Sequence, residues 1–125
     1  MTNDLTSKTV LITGATGGIG KALCNSFASA NAQVVLHYNS SKTRAESIMN
    51  SLPNNEHSIV QADLSNPEHI EKMFNEIDSV DLVVNNAAVV EPHKIDSLAF
   101  KEWENMWNRT INTNLLGPAH IIYFA

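Results

Sequence analysis

Short continuous apolar runs alternate along this chain with segments whose apolar residues recur at helical spacing. The run Thr9–Thr13 (TVLIT) reads as a first strand, and Ile19, Leu23, Phe27 and Ala30 then give a helix through Ala32. Ala32–Tyr38 (AQVVLHY) reads as a second strand. Ala45, Ile48, Met49 and Leu52 form an i, i+3, i+4, i+7 stripe ended by Pro53. His57–Ala62 is the third strand. Ser65 is the expected cap of a third helix, with Glu68 answering in a capping box, and Ile70, Met73, Phe74 and Ile77 form its stripe. Asp81–Asn85 (DLVVN) is the fourth strand, apolar enough to be buried on both faces. A loop through Pro92 leads to helical turns from Ser97 and a main helix from about Trp103.

Strands alternating with helices predict an α/β fold, a Rossmann-type doubly wound parallel sheet with strand order 3-2-1-4 that stops before a fifth strand. The expectation for residues 1–125 is one dinucleotide-binding domain, the N-terminal part of a longer fold.

Composition narrows the setting. Hydrophobic residues make up 43% and charged residues 17%, as in an ordinary globular protein. A formal net charge of −5 argues against nucleic acid or an anionic membrane as partner. The single cysteine, Cys24, rules out an internal disulfide framework, and the opening MTNDLTSK is too polar for a signal peptide. The expected compartment is the cytoplasm. The five histidines lack metal-ligand spacing, so no metal site is expected.

Four of the five glycines lie in TGATGGIG, Thr13–Gly20, directly after the first strand. Either they make a tight turn, or they let a phosphate approach the backbone and the free amides of the following helix. The strand before and the amphipathic helix after favour the phosphate.

TGATGGIG resembles the cofactor loop of the short-chain dehydrogenase/reductase family, and the resemblance runs through nearly the whole chain. Asp63 in DLS resembles the acid that holds the adenine amino group. NNAA, Asn85–Ala88, is similar to the NNAG of the compact branch, with Ala88 departing from the glycine and the extended, epimerase-like branch disfavoured. WNRTINTNLLG, Trp107–Gly117, resembles the helix in which Asn114 is the structural member of the catalytic Asn-Ser-Tyr-Lys set, distorting the helix locally and ordering a water. The resemblance implies a cofactor site at Gly14, Thr16, Gly17, Gly18, Ile19, Gly20, His37, Asn39, Ser40, Ser41, Asp63, Leu64, Asn86 and Ala87.

An NAD-selective site places an acid at the end of the second strand. His37 and Tyr38 stand there instead, and no carboxylate follows until Glu46. Ser40, Ser41, Lys42 and Arg44 suit a 2′-phosphate. HYNSS is similar to the HYxxS of NADP-dependent members, 3-oxoacyl-carrier-protein reductases and pteridine reductases being the nearest types. Gly17, where many NADP-using relatives carry a base, counts the other way. NADP is expected over NAD.

The resemblance also implies a catalytic Ser and YxxxK, and neither is present. Tyr38 with Lys42 matches YxxxK by letter only, on the adenosine side, and Tyr123 has no lysine partner. Cys24 reads as a core residue and the Trp103/Trp107 pair as packing. The expected activity is hydride transfer between NADP(H) and a carbonyl, alcohol or imine small molecule if the chain continues. The alternative is a non-catalytic nucleotide-binding or docking module. An open sheet edge and an apolar last helix predict self-association.

Overall fold

The computed structural model describes residues 4–54 and 56–125, so the first three residues of the polar opening lie outside it. Strand β1 (Thr9–Ile12) is buried along its whole length. Helix α1 (Gly18–Ser29), β2 (Gln33–Tyr38), α2 (Lys42–Ser51), β3 (Ser58–Gln61), α3 (Pro67–Asn75) and β4 (Leu82–Val84) follow in strict alternation. The chain closes with α4 (Phe100–Ile111), a π-helical turn (Asn112–Leu116) and α5 (Gly117–Phe124). All pairings are parallel and the order is β3-β2-β1-β4, as the alternation predicts.

The central strands β1 and β2 carry continuous apolar runs, Val10–Ile12 and Val34–Leu36, because both faces are covered, with successive side chains going to opposite layers. Val10, Ile12, Val34 and Leu36 pack with Cys24 and Ala28 of α1 and Ile48 of α2. Leu11, Val35 and Val60 pack on the other face against Ile70 and Met73 of α3 and Ile121 of α5.

Several boundaries and one strand's setting depart from expectation. Helix α1 stops at Ser29 because Asn31 takes a left-handed conformation (φ 68°), its N–H donating to Ala28 O and that of Ala32 to Phe27 O. Helix α3 is capped by Asn66, whose Oδ1 accepts from Glu68 N at 3.0 Å, with Pro67 opening the helix. Ser65, the expected cap, instead donates both its N–H and its hydroxyl to Asp63 Oδ1. Strand β4 is the edge that its place in the order makes it, and where its apolar run predicted burial it is only partly covered: Val84 and Val83 pack on the two layers, but Leu82 is 39% exposed.

Candidate functional site

The carboxyl ends of the four strands open into one cleft of about 710 Å³. Its floor is the glycine loop. Gly14 has φ 63°, and a Cβ there would sit 2.8 Å from Ala87 Cα, so the loop passes directly over the chain leaving β4. A Cβ at Gly20 would run into the carbonyl oxygen of Gly14 and lie 2.8 Å from Ala15 Cα. Those two glycines are needed for packing. Gly18 is different, because a Cβ there meets nothing within 4 Å. No side chain caps α1 at Gly17 and its first turn carries no acid, so the positive end of this helix faces the cleft undischarged.

The loop is held from both sides. Thr13, 1% exposed, accepts at Oγ1 from the N–H groups of Asn86 and Ala87, both at 3.0 Å. Asn86 donates again, from Nδ2, to Thr13 O at 3.0 Å and Gly14 O at 3.1 Å. On the other side His37 lies 2% exposed beneath the turn. Gly14 N can only donate, so His37 Nδ1 accepts from it at 3.1 Å, the ring proton resides on Nε2, and Nε2 donates to Ala62 O at 2.9 Å. Burial holds this imidazole below its ordinary pKa, opposed by the bond to Ala62. His37 therefore lines the cleft with both ring nitrogens already bonded to protein, while Tyr38 and Asn39 complete the β2 wall.

At the end of β3, Asp63 lines the cleft with Leu64 and Ser65. The Ser65 hydroxyl beside it, chiefly, keeps the Asp63 carboxyl below its ordinary pKa. Its Oδ2 accepts no hydrogen bond from the described residues.

Asn114 sits in the π turn and uses both ends of its amide on one residue. Oδ1 accepts from Val89 N and Nδ2 donates to Val89 O, each at 2.8 Å. The local distortion expected of this helix is therefore present, and the side chain at its centre anchors the strap that leaves β4. Glu91 on Arg109 (2.8 Å) and His93 against Thr110 and Trp107 continue the anchoring.

Of the residues expected from sequence, Gly14, Thr16, Gly17, Gly18, Ile19, Gly20, His37, Asn39, Asp63, Leu64, Asn86 and Ala87 all line this cleft. Ser40 and Ser41 do not: they lie exposed at the start of α2, where Ser41 occupies the cap position without bonding the helix amides. Arg109 and Thr113 line the cleft unexpectedly; they are one turn apart on the helix that includes Asn114. That i, i+4 pairing was visible in WNRTINTN, but nothing local says which strand end the helix crosses. Cys24 is buried, and burial pushes its thiol up to about 11, which fits a core residue and not a nucleophile. Trp103 and Trp107 pack on one another, on the surface of a helix that buries none of its residues. Among the described residues no cluster could hold a metal ion, and no helix is long and apolar enough to cross a membrane.

The family model for short chain dehydrogenase matches residues 8–124. The chain belongs to the short-chain dehydrogenase family. It is 31% identical over 122 residues to the 3-oxoacyl-[acyl-carrier-protein] reductase FabG of Staphylococcus epidermidis, covering 93% of this chain and 48% of that protein. It is 33% identical over 121 residues to the short chain dehydrogenase/reductase dpmpG of Macrophomina phaseolina, covering 92% of this chain and 67% of that one. A short chain dehydrogenase from Burkholderia cenocepacia, solved in complex with NADP, shares the fold with a TM-score of 0.85 at 24% identity, over 97% of this chain and 50% of that one. The chain thus spans about half the length of the staphylococcal relative. Family and sheet order agree with the sequence reading.

Proposed function

We propose that this chain binds NADP(H) across the carboxyl edge of its sheet, as the cofactor-binding part of a reductase that moves a hydride between the nicotinamide and a carbonyl, alcohol or imine. The observation that carries the reading is the contrast within the glycine loop. Gly14 and Gly20 are demanded by protein contacts, whereas Gly18 is bare toward the cleft, beside an uncapped helix start. Backbone left open there suits a pyrophosphate. A cleft of about 710 Å³ is large enough for much of a dinucleotide.

Bound in this way, the cofactor would lay its adenosine half toward β2 and β3, with Asp63 Oδ2 free to accept from the adenine amino group. Its nicotinamide would lie toward Asn86–Val89 at β4, where the nicotinamide supplies or takes the hydride. The preference for NADP rests on β2 ending in Tyr38 and Asn39 with no carboxylate before Glu46. Ser40 and Ser41 are exposed there with hydroxyls not used by α2, and Arg44 and Lys42 are close in sequence, although Lys42 also reaches Glu46 at 3.9 Å. These groups would engage a 2′-phosphate extending beyond the cleft mouth.

The same residues argue that the 125-residue chain binds without turnover. Its one YxxxK match begins at Tyr38, which is buried at the end of β2, on the adenosine side of the loop. The alternative of a nucleotide-binding module without catalysis describes the chain by itself.

Calorimetric titration of the chain with NADPH and with NADH tests the reading. Tighter NADPH, with Tyr38→Asp shifting the preference toward NADH, is the expected result. Tyr38, not the doubly bonded His37, is the position for an acid. Equal affinities would defeat the 2′-phosphate assignment, and no binding of either cofactor would defeat the site.

A further inference from the structure

We propose that Arg109 recognises the purine of the bound nucleotide, its guanidinium plane covering the base opposite Asp63, with Glu91 as the positioning residue that holds it there. The proposal rests on the dinucleotide reading and adds a residue from outside the four strand ends.

Arg109 is the only lysine or arginine among the described residues that lines the cleft. It comes from α4, across from the glycine loop, and its Nη1 donates to Glu91 Oε1 at 2.8 Å. The Glu91 side chain is 23% exposed and that of Arg109 61%, so the anchor is sheltered while much of the arginine side chain stays open. Arg109 and Asp63 line the same cleft, and the arginine's charge is the least of the causes that hold that carboxyl ionised. Thr113, one turn on, continues the same wall.

Two groups in the cleft could draw an arginine, a phosphate or a base. A phosphate asks for net positive charge, and Glu91 already balances that of Arg109. The pyrophosphate has its own place at the uncapped start of α1, beside Gly18. What a neutralised guanidinium still offers is a flat, weakly hydrated face, which stacks on aromatic rings. A purine has the matching shape, two π faces and an amino edge. Asp63 Oδ2 supplies an acceptor for the edge, and Arg109 supplies a plane for the face.

The test compares wild type with Arg109→Ala, Arg109→Lys and Glu91→Gln, with NADPH followed by calorimetry and adenosine and reduced nicotinamide mononucleotide by NMR titration. Arg109→Ala is expected to weaken NADPH and adenosine alike by about tenfold, the effect of losing a partly exposed stacking plane. Nicotinamide mononucleotide should be unaffected. Arg109→Lys should recover little, since it restores charge without the plane, and Glu91→Gln should fall between. Unchanged adenosine binding in Arg109→Ala would overturn the proposal. So would a loss confined to phosphate-bearing ligands and rescued by lysine. A wild-type chain that binds adenosine in an Arg109-dependent way but not NADPH would defeat the dinucleotide reading and leave Arg109 standing. Binding of neither would defeat both.

Discussion

Asn86 donates twice to Thr13: its backbone N–H to Thr13 Oγ1 and its side-chain Nδ2 to Thr13 O, each at 3.0 Å. The pair ties the end of β1 to the chain leaving β4, and the second bond of Nδ2, to Gly14 O, sets the turn above. Asn86→Ala should cost about 1–3 kcal/mol, the usual penalty for carbonyls left without a donor. Asn86→Asp should cost more at neutral pH, because a carboxylate would face two carbonyl oxygens. Its penalty should shrink in acid, where the protonated group can donate once. Urea unfolding at pH 7 and pH 4 checks both, and an Asn86→Asp chain as stable as wild type at pH 7 would contradict the bonding described.

His37 makes stability depend on pH. Its pKa is lowered in the folded chain, so between that value and the ordinary 6.5 the unfolded chain binds more protons than the folded one. The contribution of the neutral ring is therefore complete above about pH 6.5 and declines as the pH falls below it. His37→Leu should remove that part of the pH dependence. It should also cost about 1–3 kcal/mol at pH 7, by leaving Gly14 N and Ala62 O unpartnered. Thermal unfolding from pH 5 to pH 8 measures both effects; identical slopes in wild type and variant would remove His37 as their source.

The glycines of the loop should separate binding from folding. Gly18→Val places its side chain in open space, so the melting temperature should hold while NADPH affinity falls at least about tenfold, some 1.4 kcal/mol. Gly20→Ala should do the reverse first, lowering stability because its methyl would strike the Gly14 carbonyl. A Gly18→Val chain that binds normally would leave the loop as a turn alone.

The sheet was legible because a parallel strand covered on both faces must be apolar along its core, and Val10–Ile12 and Val34–Leu36 are so. The glycine loop was legible because few other needs gather glycine between a strand and a helix. What the sequence hides is contact across distance. His37 meets Gly14 from 23 positions away, and nothing in LHYNS marks that ring as a brace under the turn. Arg109 reaches the cleft from a helix whose own pattern speaks only of its amphipathic surface. The choice between Asn66 and Ser65 as cap was hidden for a nearer reason: Asp63 captures the Ser65 hydroxyl at 2.7 Å.

The exposed edge makes a prediction of its own. Leu82 is 39% exposed on β4, and Ile122 and Tyr123 of α5 stand 67% and 82% exposed. Unpaired strand edges and apolar patches favour association. Light scattering over a concentration series should show a mass that rises with concentration, and Leu82→Lys should reduce the rise. A mass that stays monomeric throughout would mean that β4 recruits no neighbour.

The π turn at Asn112–Leu116 also sets the phase of the helix around it. In an uninterrupted α-helix Ile121, two heptads after Trp107, would point within about 40° of it. Yet Ile121 is 0% exposed and seals the layer against α3, while Trp107 is 44% exposed. A π turn takes up one residue more than an α turn and so resets the side-chain direction by about 100°. That offset lets one continuous helix keep an aromatic row outside and Ile121 inside. Among homologues, a one-residue gap in this segment would be far from neutral drift: it would turn everything after it by about 100° and swing Ile121 from the core toward the exposed side of Trp107.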